Sequence, residues 1–254
     1  MSLRRFYANT DAFRPTPGRV TLSEEESRHL RDVLRLRAGD EAQVFDGEGH
    51  EFACVVREVG GRREGATLEV RAPAEPPSPE PPLVLTLAVA LLKGEKFDLV
   101  VQKATELGAA HVVPVETKRA DVRLRDERDT SKRVERWRRL ALEAAKQSGR
   151  ARVPVVREPT SFASFVGGVT HLLEARVLFA EGGGATLNSL PTVSGRLSAV
   201  VALVGPEGGW ADEEVELARE HGWHIVTLGG RTLRAETAAL TACVLMQHIY
   251  GDLK

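Results

Sequence analysis

The stretch Ala72 to Pro82, APAEPPSPEPP, holds six prolines in eleven residues. Each proline fixes φ and removes a backbone N–H, so the run is excluded from a helix interior or a central strand and predicts an extended, semi-rigid spacer. The domain junction is therefore expected here, and the patterns on its two sides differ. Before it, alternating segments at Glu41–Phe45, Glu51–Glu58 and Ala66–Arg71 are separated by Asp46-Gly47, Gly49 and Gly60-Gly61, the signature of a small β-rich module. Its one helical candidate is Ser23 to Leu36, opened by Ser23 three residues ahead of Glu26 as in a capping box.

After the prolines, strand and helix candidates alternate, which predicts an α/β layer architecture with a mainly parallel sheet. Strands are expected at Leu83–Leu92, His111–Val115, Val153–Val156, Val177–Ala180, Ala199–Val204 and Ile225–Leu228. Helices are expected at Glu95–Leu107, Ser131–Ser148, Ala211–Glu220 and about Glu236–Tyr250, the last nearly continuously apolar.

Several function classes lose support at once. The two cysteines, Cys54 and Cys243, lie far apart with no metal-ligand spacing, so neither a disulfide framework nor a metal site is expected and both read as buried small residues. The longest apolar run is too short to span a bilayer and no apolar stretch comes after the basic start, so a cytoplasmic protein without a membrane partner is expected. Gly205 to Gly209 lacks the G-x-G-x-x-G spacing of a dinucleotide fold, and Gly94-Glu95-Lys96 lacks that of a phosphate loop.

Three glycine-bearing turns come directly after predicted strands: Glu181-Gly182-Gly183-Gly184, Gly205-Pro206-Glu207-Gly208-Gly209 and Gly229-Gly230. Each alone reads as a turn. Together they can line one pocket, because ligands of open α/β sheets bind beyond the carboxyl ends of strands, where glycine permits close backbone approach. Arg231, Arg234 and Glu236 flank the start of the last helix, where Glu236 or Thr237 can also serve simply as a cap.

The blocks Leu203-Val204-Gly205-Pro206-Glu207-Gly208-Gly209, Leu228-Gly229 and Leu233-Arg234-x-Glu236-Thr237-Ala238 resemble the carboxy-terminal signature of the RsmE family of SPOUT-superfamily methyltransferases. Lys93-Gly94-Glu95-Lys96, Gln102 to Gly108, Glu143 to Arg150, Arg4-Arg5-Phe6 and His29 to Arg35 resemble further family blocks, in order along nearly the whole chain. The resemblance implies a PUA-like β-barrel RNA-binding domain at residues 1–72, a linker at 73–82 and a SPOUT-type α/β domain with a deep trefoil knot at 83–254. It also implies a homodimer that transfers methyl from S-adenosylmethionine to N3 of a uridine in small-subunit (16S) ribosomal RNA, free or in the small subunit. The other reading is a non-catalytic RNA-binding ribosome-assembly protein whose glycine loops are only turns. One departure is local: Leu178-Phe179-Ala180 is less polar than the family's strand end, and Gly182-Gly183-Gly184 blurs the register there.

On that resemblance the cofactor residues are expected to be Leu178, Glu181, Leu203, Val204, Gly205, Pro206, Glu207, Gly208, Gly209, Leu228, Gly229, Leu233, Arg234, Thr237 and Ala238. Methyl transfer to a ring nitrogen needs positioning of two reactants and removal of a proton, so Arg234 is expected to stabilise the developing anion and Glu236 to act as base. Alternatively Glu236 pairs with Arg234 and only orients it.

The net charge of -1 announces no polyanionic partner, but it conceals a gradient. Lys118 to Arg152 carries thirteen basic against six acidic residues, whereas Leu203 to Lys254 carries four against eight. The basic stretch suits phosphate contacts, although a charged helix is also an ordinary solvated face. RNA contacts are expected from Arg4, Arg5, His29, Arg31, Arg35, Lys93, Lys103, Gln147, Arg150 and Arg152.

Overall fold

Alternation in the first eighty residues folds into a single sheet. In the computed structural model, which describes residues 4–14, 16–61, 64–124, 126–168, 174–190 and 198–254, the chain forms two compact units. The first comprises residues 1–80 with 145–153, and the second 81–144 with 154–254. Arg125, counted in the basic stretch, lies outside the described residues.

In the first unit β1 (Arg5–Tyr7), β2 (Arg19–Thr21), β3 (Glu41–Phe45), β4 (Glu51–Glu58) and β5 (Thr67–Ala74) form a mixed sheet in the order β1-β3-β4-β5-β2. β1 pairs with β3 in parallel and the other pairs are antiparallel. Phe6, Val20, Leu30, Val44, Val56 and Leu68 form its buried core.

The expected helix Ser23–Leu36 is shorter. Helix α1 (Glu24–Arg28) starts as predicted, with Ser23 Oγ accepting from the Glu26 N–H at 3.3 Å. Glu26 does not close the capping box, because its carboxylate instead takes Lys146 Nζ at 2.5 Å. The chain then widens into a π turn over His29–Val33, the Leu34 N–H reaching back to His29 O, and ends at Arg35 with φ +54°.

The Pro-rich stretch, expected as an extended, semi-rigid spacer, is held by hydrogen bonds to residues 148–152. β5 runs to Ala74, past the expected boundary at residue 72. Ser78 Oγ donates to Ser148 O at 2.7 Å and Glu80 accepts from Arg150 Nη2 at 2.6 Å and from the Arg152 N–H at 3.1 Å. Gly149, at φ +80°, allows this approach, since a Cβ there would lie 3.0 Å from Pro77 Cβ. Residues 145–153 consequently belong to the first unit, although the sequence pattern groups them with the strands and helices beyond residue 83.

The second unit is built on β6 (Val84–Ala90), β7 (His111–Glu116), β8 (Val155–Val156), β9 (Thr160–Ser161), β10 (Glu174–Ala180), β11 (Ala199–Val204) and β12 (His224–Thr227). They form a parallel sheet in the order β12-β10-β11-β6-β7-β8, with β9 also pairing β7. The helices are α2 (Lys96–Glu106), α3 (Glu127–Ser148), α4 (Phe162–Gly168), α5 (Asp212–Glu220) and α6 (Ala235–Tyr250). Continuous apolar runs such as Ala199–Val204 are what a sheet covered on both faces demands. Glu214 is buried at the start of α5, where one carboxylate oxygen accepts from the Ala211 N–H at 3.0 Å and the other from the Lys118 N–H at 2.9 Å.

Among the described residues no helix is long and apolar enough to cross a membrane, and no group of three metal-ligating side chains converges. Cys54 and Cys243 are free and buried, and burial pushes both thiols up to about 12.

Candidate active site

The chain leaves β10, β11 and β12 at one end of the sheet, and the three loops that continue from them line one cleft. Its floor is Trp210. The indole Nε1 donates to Phe179 O at 2.8 Å, tying the loop after β11 to the end of β10. Gly205 lies against the ring, where a Cβ would sit 2.9 Å from Trp210 Cε2, so any side chain must displace the indole. Gly209, at φ +67°, turns the chain back beside the Glu181 carboxylate. Gly184 fits tightly against β12 and donates to Thr227 Oγ1 at 3.0 Å, bringing the first loop to the third.

Nine expected cofactor residues line this cleft: Glu181, Val204, Gly205, Pro206, Gly209, Leu228, Gly229, Leu233 and Ala238. Leu178 and Leu203 do not. Both are fully buried within their strands and pack into the core with Phe162 and Trp210, as the strict alternation of a strand requires. Glu207 and Gly208 are exposed on the outer side of their turn, and Arg234 and Thr237 are exposed outside the lining. Phe179, Trp210, Thr227, Arg231 and Thr232 line the cleft without having been expected. Trp210 packs on Phe162 at 5.3 Å between ring centroids, so the loop after β11 is anchored in the core.

Arg234 is the N-cap of α6 and Glu236 lies in the first turn of that helix. The two do not pair, so the alternative in which Glu236 orients Arg234 has no counterpart in the geometry. The cation near Glu236 is Lys96 in the first turn of α2. Its Nζ lies 3.8 Å from Glu236 Oε2 and 2.6 Å from Glu207 Oε1. The hydrogen bond to Glu207 holds the Lys96 ammonium above its ordinary range. Burial pushes Glu207 up, but the Lys96 hydrogen bond and charge and its own backbone N–H outweigh this and lower it. Glu236 Oε2 is buried and accepts no hydrogen bond from the described residues.

Two residues expected to meet RNA serve differently. Arg5 is buried, with its guanidinium 3.0 Å from Glu51 Oε2, 2.8 Å from Arg150 O and 4.0 Å from the Phe45 ring centroid. Arg150 is buried against Glu80 at 2.6 Å. A guanidinium in a buried ion pair has no face left for phosphate. Lys93, Lys103, Arg4 and Arg31 pair with Asp121, Glu106, Asp40 and Asp32 at partly exposed positions. His29 meets Phe6 edge to face at 6.0 Å, while Arg35, Gln147 and Arg152 are exposed. In the basic stretch, Arg119, Arg128, Lys132 and Arg139 are exposed and make no ion pair among the described residues.

Residues 79–247 match the model of an RNA methyltransferase domain, and residues 22–64 that of an RNA methyltransferase PUA domain. Ribosomal RNA small subunit methyltransferase E of Synechocystis is 34% identical over 88% of this chain and 71% of its own length. The Bacillus subtilis protein of the same name is 33% identical over 87% of both chains. The crystal structure of a ribosomal RNA small subunit methyltransferase E from Neisseria gonorrhoeae bound to S-adenosyl methionine superposes with a TM-score of 0.85 at 32% identity, covering 99% of this chain and 100% of that one.

Proposed function

This chain belongs to the RNA methyltransferase family that contains the ribosomal RNA small subunit methyltransferase E proteins, and on that premise we propose that it methylates N3 of a uridine in small-subunit ribosomal RNA. The observation that carries the reading is the convergence of three strand-end loops on one cleft, with Glu236, whose buried Oε2 accepts no hydrogen bond from the described residues, at the start of the adjoining helix and outside the lining. The cleft fits S-adenosylmethionine. Its walls are largely apolar, Glu181 and Thr227 offer polar contacts for a nucleoside, and Gly205 and Gly209 leave a cradle that side chains would fill. Bound there, S-adenosylmethionine would supply a methyl group activated by its sulfonium centre, with a neutral thioether as the leaving group.

The chain's own residues supply the rest. Uracil N3 carries a proton that must leave for the nitrogen to attack, and Glu236 Oε2, with no hydrogen bond of its own, accepts it. The Arg234 guanidinium and the positive end of α6 stabilise the negative charge that develops on the ring. Most of the acceleration comes from holding two reactants in line.

In the same reading the first unit is a PUA-like barrel that holds RNA, with Arg35 and Arg152 among its contacts, and the loop before α6 closes a deep trefoil knot. Exposed Val244 and Ile249 on α6 are covered by a second copy of the chain. Calorimetry with S-adenosylmethionine, then transfer of labelled methyl into unmodified small subunits and nucleoside analysis, tests the function. Label in N3-methyluridine is expected. Folded protein that binds no cofactor would favour a purely RNA-binding role instead.

A further inference from the structure

Lys96 has no part in the reaction just described, yet it joins the two segments that form the site. Its ammonium lies between Glu207 in the turn after β11 and Glu236 in the first turn of α6. The two contacts differ in kind. At 2.6 Å the first is a charge-assisted hydrogen bond, whereas at 3.8 Å the second is a Coulomb contact without one. A buried carboxylate oxygen without a donor is costly, and an ammonium so near would ordinarily close the gap. Glu207 prevents this by engaging the ammonium first. Glu236 Oε2 is thus left with a cation close by and its lone pairs uncapped.

The geometry points to Lys96 as a positioning residue for methyl transfer: tethered by Glu207, it holds the Glu236 carboxylate by charge while leaving free the oxygen that takes the substrate's proton. The inference rests on Glu236 being the proton acceptor. It adds that Glu207, exposed and outside the cleft lining, acts through Lys96 rather than by touching the cofactor.

Single-turnover methylation of small subunits by Lys96→Met, Lys96→Arg, Glu207→Gln, Glu236→Gln and the Lys96→Met/Glu236→Gln double variant tests this, with cofactor affinity measured on each. Lys96→Met should lower the rate at saturation by at least about tenfold, below the roughly 10²–10⁴-fold worth of a general base, with cofactor affinity and half-saturating RNA within about threefold. Lys96→Arg keeps the charge and should recover most of the rate. Glu207→Gln releases the ammonium onto Glu236 and should also slow the reaction. The double variant should be no slower than Glu236→Gln alone, because the two residues act as one unit.

A wild-type rate for Lys96→Met beside a slow Glu236→Gln would overturn the role of Lys96 and leave the base in place. A wild-type rate for Glu236→Gln would remove the base and the inference with it. A Lys96→Met effect confined to half-saturating RNA would make Lys96 a phosphate contact, and additive losses in the double variant would make it an independent structural residue. Either result contradicts the proposal.

Discussion

Two buried charged groups, Arg5 with Glu51 in the first unit and Glu236 in the second, are treated in opposite ways. In the first, Arg5 and Glu51 are almost wholly buried, at 7% and 0% side-chain exposure, and backbone carbonyls and the Phe45 ring complete the guanidinium's surroundings. Arg150 and Glu80 form a second such pair, whereas Glu26 takes the half-buried Lys146 on one oxygen and keeps the other buried without a donor. In the second unit, Glu236 keeps a buried oxygen that accepts no hydrogen bond and a cation that stops 3.8 Å away. A closed ion pair fixes geometry, whereas an open one retains capacity for a proton or a ligand. An uncapped oxygen alone does not mark a residue placed to act, since Glu26 has one too; at Glu236 it coincides with the start of the helix beside the glycine-lined cleft.

The contrast can be broken most severely at Glu51. Glu51→Gln leaves the Arg5 guanidinium buried without its counter-charge and should cost about 3–5 kcal/mol in urea unfolding. A loss under about 1 kcal/mol would mean that the pair is not structural. Next comes the cleft. Gly205→Ala forces a Cβ against Trp210 and should cost about 1–3 kcal/mol in stability, with at least about a tenfold loss of S-adenosylmethionine affinity by calorimetry. Unchanged affinity would place the ligand elsewhere. Trp210→Phe removes the indole hydrogen bond to Phe179 O, which should cost about 0.5–1.5 kcal/mol.

The smallest effect concerns pH. The Glu207 carboxyl is lowered on folding, so its contribution is present above the usual 4.5 and fades as pH falls through its lower folded value. The Lys96 ammonium is raised, so its contribution is present below 10.5 and fades as pH rises through its higher folded value. The stability difference between wild type and Glu207→Gln should therefore be flat from about pH 5 to 10 and shrink beyond both ends. A slope near neutrality would implicate another group.

Strands with their own hydrophobic pattern are legible in the amino-acid sequence. β3, β4 and β11 have the boundaries that alternation or continuous apolarity predicts. β1, β2 and β9, two or three residues each, carry no period and exist only through their partners. The Pro-rich stretch is visible as a feature but not as packed structure, since the contacts of Ser78 and Glu80 reach across about 70 residues. The site is legible where glycines occur in the loops that leave strands, at Gly205, Gly209 and Gly229. It is not legible where a residue's meaning depends on a distant partner: Lys96 meets Glu207 across 111 positions, and Arg5 looks the same in sequence whether it faces phosphate or Glu51.

The central claim is that Glu236 at the start of α6 takes the proton while the neighbouring cleft holds the cofactor. Its most direct test is single-turnover methyl transfer by Glu236→Gln, measured alongside S-adenosylmethionine affinity. The expected result is a rate lowered by roughly 10²-fold or more, with cofactor affinity within about threefold of wild type. Methylation by Glu236→Gln at the wild-type rate would contradict it.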